Sequence, residues 1–230
     1  MDNSVGRLQS LFPSHQLDVI IGSLLGDGRL ECRSKGIRVC PKTARLRIQQ
    51  SEKQRDYVLW KYKFLKNLVS KGPRKILAWH DKLRNKEHYS WYFHTRSSVD
   101  LGLLHGYFYP KGVKVLPKNV FQLVNPFCLA VWFMDDGSNT KESFTINSHC
   151  FSFKDQQRII KFLFGQYRIK ATLIKDRERY KVRIGKDFYR IFSEIISPFI
   201  IPSMAYKIDN PRNDLFPAKA GTDGWLSKQS

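Results

Sequence analysis

The sequence predicts an α+β fold built from two similar halves, and three observations support this prediction. Two apolar nonamers end in Asp-Gly, residues 20–28 (IIGSLLGDG) and residues 129–137 (LAVWFMDDG), and each is typical of a buried helix ending at a carboxylate. After each nonamer, strand-like and helix-like periods follow in the same order of hairpin, helix, hairpin, helix. Matched residues, such as Lys114 with Lys207, are separated by fewer positions toward the end of the chain, so the second half has shorter loops.

The first half is predicted to span residues 14–110. Residues 1–14 show little period and are expected to form a loose lead-in, so the first nonamer helix begins at Ser14 or His15. Polar and apolar residues alternate over 45–50, as expected for the return strand of a hairpin that begins near Arg29. The remaining predicted elements are a helix over 54–69, a hairpin with arms 76–80 and 89–95, and a short helix opened by Ser97.

Residues 111–125 are predicted to be an extended linker, and the second half to span residues 126–208. Asn125 and Pro126 suit the N-cap and the first position of the second nonamer helix. Residues 209–230 are expected to form a peripheral or disordered tail. The elements predicted in between are a strand over 143–149, a helix over 155–167, a hairpin over 169–184 turning at 176–179, and a helix over 187–196.

The composition indicates a globular protein with a polyanionic partner. The 230 residues are 42% hydrophobic, and 40 Lys and Arg against 20 Asp and Glu give a net charge of +20. Nucleic acid is the leading polyanion, because the basic residues lie mostly in strand-like runs rather than along one amphipathic, membrane-binding helix. No apolar run reaches the ~18 residues that a membrane-spanning helix needs.

The cysteines, Cys32, Cys40, Cys128 and Cys150, form no Cys-x-x-Cys pair and lack zinc-finger spacing with His. We therefore expect free thiols in a reducing compartment and no structural zinc. The stretch before Pro13 has neither the apolar core of a secretory signal nor the arginines of a transit peptide. We expect a protein that acts where it is made, either translated inside a mitochondrion or chloroplast or in a bacterial cytoplasm.

The repeated nonamer changes how each copy is interpreted. A single copy is more often an ordinary core helix capped by Gly. Two copies packed side by side would bring Asp27 and Asp136 together, and adjacent carboxylates repel unless they share a divalent cation with a preference for oxygen ligands, such as Mg²⁺. The two helices differ at one position, because Asp135 stands where the first helix has the small Gly26.

The two nonamers resemble the paired motifs of the LAGLIDADG homing endonucleases, of the single-chain, two-repeat kind, over about residues 16–208. The resemblance implies two pseudo-symmetric αββαββα halves packed through the motif helices, with antiparallel sheets forming a saddle over double-stranded DNA. It also implies a monomer that uses Mg²⁺ or Mn²⁺ to make a staggered double-strand break at a long site. The alternatives are an intron RNA maturase and a non-cleaving DNA-binding protein on the same scaffold.

The resemblance also implies roles for individual residues. The motif residues Asp27 and Asp136 become the metal ligands, and Gly26 and Asp135 beside them belong to the same predicted metal-binding set. A structural alternative is that these are capped core helices with an adjacent Asp.

Two further pairs match positions near the family's active centres. Lys114 in Lys-Val-Leu-Pro and Lys207 in Met-Ala-Tyr-Lys resemble its basic residues, and Gln50 and His149 resemble its polar, water-ordering residues. All four are therefore candidate catalytic residues. The alternatives are phosphate-contacting surface lysines and strand-end hydrogen bonds.

The outward faces of the strands are expected to contact DNA. A two-stranded ribbon fits the major groove, where Arg can bind guanine and Gln can bind adenine. Phosphate contact and solvation are the alternatives for each residue. The aromatic residues Trp60, Trp79, Trp91 and Trp132 are expected in the core instead. The candidate DNA-binding residues are Arg29, Arg33, Arg45, Arg47, Gln49, Lys181 and Arg183.

Overall fold

The computed structural model describes residues 4–32, 43–140 and 142–209, in two similar halves. The first half begins with an additional helix and then follows the predicted order of helix, hairpin, helix, hairpin, helix. Its elements are α1 (Ser4–Leu11), α2 (Ser14–Leu25), β1 (Arg29–Glu31), β2 (Arg45–Ser51), α3 (Arg55–Leu65), β3 (Arg74–Asp81), β4 (Lys86–His94) and α4 (Val99–Phe108).

The second half repeats this order with shorter strands. Its elements are α5 (Pro126–Asp136), β5 (Gly137–Asn139), β6 (Phe144–Ile146), α6 (Phe153–Tyr167), β7 (Ala171–Asp176), β8 (Arg179–Ile184) and α7 (Tyr189–Ile196). Each half forms a four-stranded antiparallel sheet, in the orders β1-β2-β4-β3 and β5-β6-β8-β7. The predicted α+β fold with two pseudo-symmetric halves is confirmed.

The motif helices α2 and α5 pack directly against each other in the core. Gly22 allows this close approach, because a Cβ atom there would lie 2.7 Å from both the Cys128 carbonyl oxygen and the Val131 Cβ atom. Asn125 caps α5, as predicted, by accepting a hydrogen bond from the Cys128 main-chain N–H. Trp132 in the middle of α5 is fully buried. The seam between the halves is therefore also the centre of the hydrophobic core.

Two predictions about helices are wrong. The expected loose lead-in contains α1, because Leu8 and Phe12 are buried in the core with Val5 and Leu11 packed against them. The cap of α4 is Ser98 rather than Ser97, since the Ser98 hydroxyl accepts from the Leu101 main-chain N–H.

The alternation predicted for β2 is present. Leu46 and Ile48 are buried, whereas Arg45, Arg47 and Gln49 lie half-buried on the opposite face. We call that opposite face the outward face of the sheet. In the second half, Lys181 and Arg183 share an outward face in the same way, opposite the buried Val182 and Ile184.

A β-bulge in β3 breaks the alternation of the first sheet. The pairing of β3 with β4 shifts register between Leu77 and Trp79, so that Trp79 pairs with His88. Trp79 is 54% exposed and stacks on the His88 ring, with centroids 4.3 Å apart. The prediction of Trp79 as a core residue is therefore wrong, because the bulge turns it outward.

Some sequence predictions lie outside the described residues: the candidate DNA contact Arg33, the thiol of Cys40 and the tail beyond residue 209. Where the chain is described, Cys128 and Cys150 are free thiols, as predicted. Within those same ranges, the helices are too short or too polar to cross a membrane.

Candidate functional site

The two motif aspartates lie where α2 and α5 end. Asp27 follows the last turn of α2 and is exposed, and Asp136 is the last residue of α5 and is half-buried. The glycine after each is required by packing: a Cβ atom at Gly28 would lie 2.7 Å from the Ser23 carbonyl oxygen, and one at Gly137 2.4 Å from that of Phe133. Only glycine lets the chain fold back on the helix end, so the motif ends carry both acids at one seam.

Asp135 fills the space opposite Gly26. A Cβ atom on Gly26 would lie 2.4 Å from the Asp135 Cβ atom, so these two positions meet directly across the seam. The Asp135 carboxylate is fully buried and accepts two hydrogen bonds from the Lys61 ammonium, at 2.7 and 2.9 Å. Lys61 extends from α3 and is also fully buried, with its ammonium 4.4 Å from the centre of the Tyr57 ring. The motif helices are thus tied to α3 by a buried ion pair.

Gln50 connects this ion pair to Asp27. Its side-chain N–H₂ donates to the Asp27 carboxylate and to the Asp135 carboxylate, each at 3.0 Å. The second oxygen of Asp135 accepts from the main-chain N–H of Asp27 at 3.3 Å. Asp27 is therefore held at both its main chain and its side chain.

The two candidate lysines contact equivalent main-chain positions. Lys114 donates to the carbonyl oxygen of Gly26 at 2.7 Å, and Lys207 donates to that of Asp135 at 2.9 Å. Lys207 also donates to the Met134 carbonyl oxygen at 2.5 Å. Each lysine thus binds the residue directly before a motif aspartate, which places one ammonium beside each acid.

The charges at the seam are strongly coupled. Burial, with the negative charges of Asp27 and Asp135, raises the pKa of Asp136 to about 8. Burial also raises the pKa of Asp135, against the opposing effect of Lys61. Burial lowers the pKa of Lys207, partly offset by the three acids. Three carboxyl groups therefore share a partly dehydrated region, where a divalent cation would offset their repulsion.

The match of Gln50 with His149 lies beyond the paired strand residues of the second half. Arg29 pairs with Arg47 in the first sheet and Ser138 with Thr145 in the second. However, β6 ends at Ile146, and the main-chain N–H of Ser148 donates back to the Ile146 carbonyl oxygen, so the register does not extend to Ser148 or His149. The match of Gln50 with His149 stays a prediction.

His149 itself points toward the end of β7. Its Nε2 atom lies 3.3 Å from the Asp176 carboxylate, and its carbonyl oxygen accepts from Arg179. Ser148 is fully buried, and its hydroxyl has no hydrogen-bond partner among the described residues. Among the residues that the structure describes, no side-chain amide bridges Asp136 in the way that Gln50 bridges Asp27 and Asp135.

Three of the predicted DNA contacts of the first half line one cavity of about 640 Å³ that opens on the outward face. Asp27 and Gln50 also line it. Its wall also includes Trp79 and His88, which the sequence did not suggest for this role. Arg29, Arg47 and Gln49 contribute the polar part of the lining.

One carboxylate organises the arginines of this face. Glu31 accepts from Arg29 at 2.5 Å and from Arg45 at 2.8 Å, and lies 3.4 Å from Arg47. Burial alone would raise the pKa of Glu31, but the hydrogen bonds from Arg29 and Arg45 outweigh it and lower the pKa to about 2. The three guanidinium groups are held in a fixed arrangement around one negative charge.

The second outward face is less connected. Lys181 lies 3.0 Å from the Asp176 carboxylate, and Arg183 donates to the Ser143 hydroxyl at 3.2 Å. Both side chains lie on the outward face, as predicted.

Comparison with known proteins agrees with this fold. Residues 17–192 match the LAGLIDADG DNA endonuclease family. The chain is 32% identical over 212 residues to the DNA endonuclease I-ChuI of Chlamydomonas applanata, covering 85% of this chain and 94% of that protein. Among solved structures, it is similar to the homing endonuclease I-WcaI bound to its DNA recognition sequence, with a TM-score of 0.77, 19% identity, and coverage of 89% and 92% of the two chains.

A relative with a different name is as similar. The chain is 31% identical over 221 residues to the cytochrome b mRNA maturase bI2 of Saccharomyces cerevisiae, which covers 91% of this chain. The chain spans only 50% of that maturase. Sequence similarity alone therefore does not separate cleavage from a role in RNA splicing.

Proposed function

Because the chain belongs to the LAGLIDADG DNA endonuclease family, we propose that it is a homing endonuclease that makes a staggered double-strand break in a long DNA site. One observation carries the proposal: each motif aspartate lies at the seam, with a lysine bound to the carbonyl oxygen of the preceding residue. Both aspartates come from one chain, so we propose that a monomer cuts both strands.

We propose Mg²⁺, or Mn²⁺ in its place, as the cofactor. Asp27 and Asp136 offer oxygen ligands, and the carbonyl oxygens of Gly26 and Asp135 are adjacent. The Asp135 carboxylate is committed to Lys61 and Gln50. Over the described ranges, no three His, Cys, Asp or Glu side chains are arranged to hold a metal by themselves. This donor set fits a cation that takes one or two carboxylates and completes its shell with phosphate oxygens of the substrate.

When bound, such a cation would activate water and stabilise the leaving oxygen of the phosphodiester. The protein's own groups then have separate tasks. Gln50 uses both amide protons on carboxylates, which leaves its oxygen to accept from a water molecule. Lys114 and Lys207 place a positive charge beside each scissile phosphate, where negative charge develops. His149 stays a candidate for the water-ordering role at the second centre.

The outward faces supply the DNA contacts in this proposal. The half-site over the first sheet would be bound, at base edges or at phosphates, by Arg29, Arg45, Arg47 and Gln49. The other half-site would be bound by Lys181 and Arg183. The net charge of +20 supports a double-stranded DNA partner with strongly salt-dependent affinity.

The proposal is tested with a plasmid that carries the uninterrupted sequence spanning the insertion point of the gene. We expect Mg²⁺-dependent linearisation, which Asp27→Asn and Asp136→Asn each abolish while binding of the DNA is retained. Asp187→Asn, at an exposed acid of the second half, is the matched control and should cut normally. Linearisation that persists in the Asp27→Asn/Asp136→Asn double variant would overturn the proposal.

A second candidate function is assistance of intron splicing, which the similarity to the cytochrome b mRNA maturase favours. The two functions separate experimentally, because RNA assistance does not need the motif aspartates. Splicing of the intron RNA in vitro that is accelerated equally by the native protein and by the Asp27→Asn/Asp136→Asn variant would favour the maturase. Similarity to the intron-encoded endonuclease ai4 of Dictyostelium discoideum supports an intron origin, and we propose that the chain is translated in a mitochondrion or chloroplast.

A further inference from the structure

The buried lysine of α3 has no role in the function proposed above. Lys61 is fully buried, and its ammonium contacts both oxygens of Asp135. A buried ion pair is weak evidence for stability, since apolar residues of similar volume often replace it without loss. The other hydrogen bonds of the Asp135 carboxylate suggest a different role for Lys61.

Asp135 connects Lys61 to Asp27 through hydrogen bonds. One Asp135 oxygen accepts from Gln50 and the other from the main-chain N–H of Asp27. Without the ammonium, the carboxylate would be a buried charge without its cation, and it would rotate toward water. This rotation removes acceptors that hold Gln50 and the Asp27 main chain.

This arrangement exists in only one half of the described structure. The position equivalent to Asp135 is Gly26, which has no side chain to pair with a lysine. Gln50 donates to Asp27, whereas no side-chain amide among the described residues donates to Asp136. The hydrogen bonds of the network therefore end on Asp27, and none of them is made to the Asp136 side chain.

We propose that Lys61 is a positioning residue for one of the two cleavage centres: through Asp135 it fixes Gln50 and Asp27, so that cutting of one DNA strand depends on Lys61 far more than cutting of the other. This inference rests on the proposed endonuclease function. It predicts that the two centres cut their strands at different rates, so that a nicked duplex forms as the intermediate.

The test is single-turnover cleavage of a target duplex with a different fluorophore on each strand. Lys61→Met should slow cutting of one strand by about 10–100-fold, the range seen when a supporting contact of a metal-binding group is removed. The other strand should stay within a few-fold of the native rate, and nicked product should accumulate. Lys63→Met, an exposed lysine of the same helix, should leave both rates unchanged. Equal slowing of both strands by Lys61→Met would show a purely structural role and overturn the proposal.

A double variant separates positioning from folding. Lys61→Met/Asp135→Asn also removes the unpaired charge. The double variant should therefore reverse the decrease in melting temperature that Lys61→Met causes. The strand-specific defect should persist. An amide has only one oxygen, so it cannot replace the two carboxylate oxygens that accept separately from Gln50 and from the Asp27 main chain. Recovery of both properties together would contradict the positioning role.

A measurement without cleavage covers the case in which the proposed function fails. In ¹⁵N-labelled protein, the side-chain amide protons of Gln50 should exchange slowly with solvent, and Lys61→Met should accelerate this exchange at least tenfold. Native protein that cuts no DNA would overturn the endonuclease proposal alone. Unchanged exchange in Lys61→Met would overturn the positioning proposal, whatever the chain cuts.

Discussion

Gly26 faces Asp135 across the helix seam so closely that a Cβ atom on Gly26 would lie 2.4 Å from the Asp135 Cβ atom and 2.7 Å from a carboxylate oxygen. Asp135 cannot move away freely, because its carboxylate is held by Lys61 and Gln50. The small residue in the first motif and the acid in the second are therefore complementary parts of one contact.

Substitution of Gly26 by Ala should therefore destabilise the protein. We expect Gly26→Ala to lower the free energy of unfolding by about 1–3 kcal/mol, the usual cost of overpacking a core. Urea denaturation measures this change. The control is Gly165→Ala in α6, where a Cβ atom meets nothing within 4 Å and should raise stability by about 0.5–1 kcal/mol. Equal effects of the two substitutions would show that the seam relaxes around an added methyl group.

The two site lysines should differ in their effect on stability. Lys207 is buried and donates to two main-chain oxygens, whereas Lys114 is half-buried and donates to Gly26 alone. Lys207→Met should lower the free energy of unfolding by about 1–3 kcal/mol, because it leaves buried carbonyl groups unsatisfied. Lys114→Met should cost clearly less, since water can replace the ammonium. Thermal denaturation of both variants decides this, and a larger loss for Lys114→Met would contradict the burial argument.

The sequence allowed the repeat and the motif acids to be predicted because both depend on local pattern. Asp27 and Asp136 each end an apolar helix before a glycine, and this pattern is visible without any knowledge of packing. The outward position of Arg45 and Arg47 followed from the two-residue period of a strand. The periodic signal of the hairpins and helices likewise gave the order of elements in both halves.

The remaining features depend on contacts between distant segments. Lys61 is one of 40 basic residues, and only packing of α3 on the seam reveals that it is buried against Asp135. Trp79 turns outward through a bulge, which a regular two-residue period cannot indicate.

Acid should remove the contribution of Glu31 to stability. The pKa of this carboxyl falls from its ordinary value of 4.5 to about 2 in the folded protein, because the hydrogen bonds from Arg29 and Arg45 outweigh burial. A depressed folded-state pKa means that the stabilisation is complete above pH 4.5 and is lost as the pH falls toward 2. Urea denaturation of the native protein and of Glu31→Gln should give a stability difference at pH 7 that shrinks at pH 3.

The matched control for this pH dependence is Glu178→Gln, because Glu178 is exposed in the turn between β7 and β8. Its difference from the native protein should be small at both pH values. A Glu31→Gln difference that stays constant between pH 7 and pH 3 would show that the arginines around Glu31 do not stabilise its charge.

Trp79 should contribute to DNA binding. Its ring is 54% exposed, stacks on His88 and lines the same cavity as Asp27, Arg47 and Gln49. An apolar surface at this place would be buried against a base edge such as a thymine methyl group, and its loss would remove about one base-pair contact. We expect Trp79→Ala to weaken binding of the specific target by about 1–3 kcal/mol, measured by fluorescence anisotropy in Ca²⁺ at fixed salt.

The control for Trp79 needs an exposed aromatic residue away from the outward face. Phe164 on α6 is 44% exposed, and its helix packs against the opposite face of the second sheet. Phe164→Ala should leave the affinity for the specific target unchanged. The bulge would then add an apolar contact to a face otherwise made of charged and amide groups. Equal affinities of the native protein and Trp79→Ala would instead show that the stacking of Trp79 on His88 contributes only to the sheet and not to DNA binding.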